Sequence, residues 1–124
     1  MKYTDVLQII INRLGDNYQD SDQDVLKSIL DEVILNADNI SNRTINTSST
    51  NDDASTIEDE NLKILSPEII VATIIAYQNR GVESVKSKSE LGESNTFVDY
   101  TEKLRNDIIK NGKRIIKWVN NWLD

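Results

Sequence analysis

The chain reads as an all-α protein. The expected architecture is a small bundle of about four helices around a central apolar helix, with a polar β-hairpin-like tongue before the last helix. Three observations predict this. Residues 69–77 are apolar except for Thr73, a run too long for an ordinary strand and bounded by helix signals. Leu7, Ile10, Ile11 and Leu14, and later Leu26, Ile29, Leu30, Val33 and Ile34, recur at helical spacing. Between residues 82 and 98 the pattern instead alternates with period two. At 124 residues the chain is expected to be one domain, 1–124, large enough to bury a core.

The first helix spans about residues 4–14, with Gly15 as its stop. A polar connection, DNYQDSD, follows. The second helix is expected to start near Ser21 or Asp22, where Ser21 and Asp24 resemble a capping box, and to run to about Ile40. Residues 41–61 are rich in Asn, Ser, Thr and Asp, which favour local side-chain bonds over a regular ladder, and read as a flexible polar loop. The central helix is predicted over residues 66–81. Ser66 suits the N-cap, Pro67 the first helical position, Glu68 the N-terminal dipole and Gly81 the residue after the end. A helix apolar nearly all round needs cover on nearly all sides, so a charge at Ile70 or Ile74 is expected to unfold the domain. Residues 83–98 form the tongue, two polar runs around a turn at Gly92 that need a partner surface to be firmly ordered. The last helix starts at about residues 99–101 and continues through Trp122 and Leu123, with Gly112 marking a bend.

Composition narrows the function. Net charge is −7, which argues against general nucleic-acid binding. Residues 101–124 carry +3, leaving −10 for the first hundred. An acidic body with a basic end can attract its own copies head to tail. Cysteine and histidine are both absent, which removes disulfides, thiolate zinc sites, Cys–His and Ser–His–Asp nucleophiles and histidine bases. Residues 1–14 lack the basic start and apolar run of a signal peptide, and no stretch reaches the length of a membrane span, so a soluble protein is expected.

No candidate catalytic, metal or cofactor site emerges. The run DSDQD at 20–24 mimics the start of a calcium loop, but the sixth position is Val25 rather than Gly and the twelfth is Asp31 rather than Glu. Acidic residues capping a helix start explain it more simply. Asp52, Asp53, Glu58, Asp59 and Glu60 read as a solvated loop. Trp118 and Trp122 share a helix face, flanked by Lys113, Arg114 and Lys117. That face fits a protein interface, a membrane-surface or nucleic-acid contact, or closure of the bundle core, and the residues leave all three open. Nothing argues for an enzyme.

The succession of segments carries a resemblance. LG closes the first helix and ISNR the second. SPEI…AYQNRG follows, then VESVKSKSELGESNTFVDY and KLRNDIIKNGKRI. Together they resemble the head–tail connector (head-completion adaptor) family of tailed bacteriophages, in the version carried by phages of Gram-positive hosts. The loop at 41–61 is longer than the resemblance requires, and residues 118–124 have no counterpart in it. The resemblance implies a structural virion protein of the head–tail interface, present in the host cytoplasm during assembly. Such a protein forms a homo-oligomeric ring under the portal protein after DNA packaging, extends the DNA channel without sequence-specific binding, and docks the next connector or a tail-completion protein. It implies no enzyme activity, cofactor or membrane. Arg80, Gly81 and Glu83 would set the exit from the central helix, and Ser87, Ser89, Gly92 and Ser94 the tongue that meets neighbours or the channel. Leu104, Arg105, Ile108, Ile109 and Lys110 would belong to the helix that docks on the portal or an adjacent subunit. Lys113, Arg114, Trp118 and Trp122 complete the expected interface set. The alternative is a small acidic helical regulator, binding a partner helix through the tryptophans or acting as a DNA mimic.

Overall fold

The structure is a computed structural model that describes residues 1–45, 56–89 and 100–115, with side chains except at 56, 57 and 80–89. Among the described residues there are four α-helices, two short 3-10 turns and no strand. α1, Tyr3–Leu14, starts with the Asp5 carboxylate accepting the Lys2 backbone N–H at 2.9 Å. Gly15 stops it in a positive-φ conformation (55°) that a side chain would strain. The 3-10 turns Gly15–Asn17 and Asp20–Asp22 lead into α2, Gln23–Ser41. Asn42, left-handed at φ 62°, ends α2 by donating its N–H to the Asp38 carbonyl. The expected Ser21–Asp24 capping box does not form. No side chain caps α2, and the Asp22 carboxylate accepts the Tyr77 hydroxyl instead, at 2.7 Å.

α3 departs most from expectation. It runs Thr56–Ser89, 34 residues, so it starts ten residues before Ser66 and passes through both Pro67 and Gly81. Proline removes the donor that the carbonyl four residues back would use. Here that carbonyl is Lys63's, and the Ser66 hydroxyl donates to it at 2.9 Å. Ser66 thus repairs the interior of a helix rather than capping its start. The predicted loop contracts accordingly, because Ser41 and residues 56–61 are helical, while 46–55 lie outside the described residues. The β-hairpin-like tongue is corrected too: residues 83–89 continue α3, and 90–98 lie outside the described residues. Extending an existing helix adds one hydrogen bond per residue fixed, whereas a polar two-stranded ribbon has no apolar face to hold it.

α4 is Tyr100–Lys110. Gly112 does not bend a longer helix but terminates this one. At φ 70° its N–H reaches the Ile109 carbonyl, and the Lys113 N–H reaches back to that of Ile108. This pair of bonds is the Schellman stop, which satisfies carbonyls the helix end would leave bare.

α3 runs antiparallel to α2. The Asn61 amide donates to the Thr44 carbonyl at one end, and Tyr77 meets Asp22 at the other. The core lies between the four helices, with Val6, Ile10, Leu26, Leu30, Val33, Ile34, Leu65, Ile69 and Ile108 fully enclosed. Ile70 is buried as expected, whereas Ile74 is only half-buried against the core. Thr73, the lone polar residue of the apolar run, is fully buried and turns its hydroxyl back onto the Ile69 carbonyl at 2.7 Å.

Candidate functional site

The chain's chemistry concentrates where α2 ends, α3 is in its second to fourth turns, and α4 stops. Glu68 is the centre. Its side chain is 3% exposed, yet both carboxylate oxygens are served. The Lys113 ammonium lies 3.0 Å from one and 2.9 Å from the other, and the Asn111 amide donates to the second at 2.6 Å. Lys113 also donates to the Ile64 carbonyl at 2.8 Å. A buried carboxylate without such partners would cost several kcal/mol. Next to it, the Arg43 guanidinium donates to the Lys113 carbonyl at 2.6 Å and to the Asn61 amide oxygen at 3.5 Å. The chain is then pinned to the end of α2. The Ile115 N–H donates to the Ser41 carbonyl and the Asn42 amide to the Ile115 carbonyl, both at 2.8 Å. These bonds hold residues 111–115 across the ends of α2 and α3.

The start of α4 is held differently. The Tyr100 hydroxyl donates to the Glu32 carboxylate at 2.7 Å and accepts from the Asn36 amide at 2.9 Å. Burial, then the hydrogen bond to Glu32, push the Tyr100 phenol up to about 12. With both ends fixed, α4 buries Leu104 and Ile108 and turns Arg105, Ile109 and Lys110 outward, Ile109 being 46% exposed. Arg114 is exposed just beyond. The result is an exposed polar side on which Arg105 and Lys110 are joined by Glu102, Asn106 and the apolar Ile109, with Arg114 adding charge at its end.

The expected site residues therefore divide. Arg105, Lys110 and Arg114 share the exposed side of the α4 end. Lys113 is committed to Glu68 within the fold. Arg80, Gly81, Glu83, Ser87 and Ser89 lie along the distal part of α3 and do not form a helix exit or an extended limb. Gly92, Ser94, Trp118 and Trp122 lie outside the described residues. The sequence presents Glu68 as a helix-start charge and assigns its surroundings, Arg43, Asn61 and Asn111, no site role. Glu68 and Lys113 are 45 residues apart, and no local pattern links them. A glutamate set between apolar Pro67 and Ile69 was the one available hint of a buried charge.

At the opposite end, Asp16, Asp20 and Asp24 are exposed around Tyr18, whose ring lies 6.4 Å from that of Tyr77. Among the described residues no group of three or more His, Cys, Asp or Glu side chains could hold a metal ion. Nor is any helix among them long and apolar enough to cross a membrane. Comparison with protein-family models, with curated proteins and with solved structures finds no match.

Proposed function

We propose that this chain is a head–tail connector subunit, which assembles as a ring under a phage portal, continues the DNA channel and presents a docking surface to the next connector or tail component. The observation that carries the reading is the ordered succession SPEI…AYQNRG, VESVKSKSELGESNTFVDY and KLRNDIIKNGKRI, which resembles that family over most of the chain. The physical features are compatible with it. A closed ring needs two different, complementary patches on each subunit. The outward face of α4 supplies a basic one in Arg105, Lys110 and Arg114, and the exposed carboxylates Asp16, Asp20 and Asp24 supply an acidic one at the far end of α2. A net charge of −7 lets packaged DNA pass without adhering.

Complementation tests the assignment. A phage lacking this gene product is supplied with the wild-type chain or with Arg105→Glu/Lys110→Glu. Both positions are exposed, so the variant is expected to keep its helical circular dichroism while yielding DNA-filled heads without tails and a loss of infectivity of several orders of magnitude. Full infectivity from the folded variant would remove the α4 face from the interface. Normal particles from the phage lacking the product would remove the connector reading itself.

A further inference from the structure

An unclosed side of α3 has a candidate cover within the same chain. α1, α2 and α4 all pack on α3 and bury Leu62, Leu65, Ile69 and Tyr77. One strip remains open. Ile64 and Val71 are 37% and 36% exposed, Pro67 is exposed and Ile75 half-buried. Steps of three and four residues put these four on one side of the helix. Glu68 borders the strip, and Lys113 reaches over to the carbonyl of Ile64 itself. The Lys113 side chain thus reaches the edge of the strip, while the backbone at Lys113 and Ile115 is held by Arg43, Ser41 and Asn42 at the adjoining end of α2, one residue before residue 116. The nine residues from there, IKWVNNWLD, bring Ile116, Trp118, Val119, Trp122 and Leu123, which together with the exposed Ile115 recur at helical spacing. Wound as a helix, that tail would rise about 14 Å, against about 17 Å along α3 from Ile64 to Ile75.

We propose that residues 116–124 dock on the strip formed by Ile64, Pro67, Val71 and Ile75 of the same chain. The tether favours this occupant over a second copy. A short linker holds the tail at an effective concentration in the millimolar range, which a free subunit at micromolar concentration does not match. The proposal goes beyond the connector reading and stands without it.

Both tryptophans of the chain, Trp118 and Trp122, are in this tail, so intrinsic fluorescence of the full-length protein reports on the tail alone. The expected wild-type signal is a blue-shifted emission, shielded from acrylamide and constant over a wide dilution series. Val71→Asp and Ile64→Lys alter residues that are already more than a third exposed, and Val71→Ser removes apolar surface without adding charge. With far-UV circular dichroism unchanged, the charged variants should shift the emission to that of solvated indole and raise acrylamide quenching several-fold, with Val71→Ser intermediate. Solvated emission in the wild type would overturn the proposal, as would buried emission that the three variants leave untouched. Buried emission that is lost on dilution would also overturn it, assigning the strip to a second copy.

Discussion

The two ends of the bundle solve opposite electrostatic problems. At the end where α4 stops, a carboxylate is taken out of water and surrounded: Glu68 meets Lys113 and Asn111, with Arg43 and Asn61 behind them. At the end where α2 starts, the carboxylates of Asp16, Asp20 and Asp24 stay in water, and the Tyr77 hydroxyl on Asp22, with the Tyr77 ring beside that of Tyr18, ties α3 to the turn. The first arrangement costs desolvation and depends on every partner being present. The second is nearly independent of its members. Substitutions of similar size should therefore have unequal effects at the two ends.

Lys113→Met should have the largest effect, because it leaves the Glu68 charge buried with only an amide beside it. A loss of about 3 kcal/mol in urea unfolding is expected, at the low end for a broken buried pair since Lys113 is itself partly exposed. A loss below about 1 kcal/mol would mean that Glu68 is hydrated and that the contrast between the ends is false. Tyr77→Phe, at the other end, keeps the ring packing and removes one hydrogen bond to a carboxylate, so about 1–2 kcal/mol should go. Gly112→Ala meets no atom within 4 Å and tests only the left-handed backbone of the Schellman stop; about 1 kcal/mol is expected. Lys2→Ala removes a partly exposed pair with Asp59 at 2.9 Å and should change stability by less than about 1 kcal/mol.

Tyr100 gives a pH signature at the start of α4. Its phenol ionises near 10 in the unfolded chain and at about 12 when folded. The folded state therefore holds this proton more tightly. The stability it adds is fully present below about pH 10 and is lost as pH rises through about 12. Burial, with Asp31 alongside, also raises Tyr3, and desolvation with the carboxylates of Asp20, Asp22 and Asp24 raises Tyr18, so the wild type should weaken at alkaline pH from all three residues. Tyr100→Phe should flatten the decline in part. An unchanged slope in alkaline urea titrations would contradict the hydrogen bond to Glu32.

Much of the fold was legible because local signals agreed with the tertiary outcome. Gly15 ends α1 where it should, and of the apolar residues spaced along α2, Leu26, Leu30, Val33 and Ile34 are buried and Ile29 is half-buried. The failures share a cause, which is that the decisive partner was distant or the signal had two meanings. Pro67 reads as a helix start unless one knows that Ser66 satisfies the Lys63 carbonyl. Gly112 reads as a bend or a stop, and the bond from Lys113 back to Ile108 decides for the stop. The alternating Ser and Lys of residues 84–89 fit a strand by period and a helix by continuity, and the helix already running into them prevails. Of the candidate interface, the basic character of Arg105, Lys110 and Arg114 was readable, whereas the removal of Lys113 from that set was not, since Glu68 lies 45 residues away.

The most direct test of the proposed connector assignment is electron microscopy of tailless, DNA-filled capsids of a matching phage, with and without the purified protein. The account predicts a new ring of density beneath the portal, coaxial with the DNA channel and made of copies of the four-helix bundle. Capsids that stay bare in the presence of a well-folded monomer would contradict it.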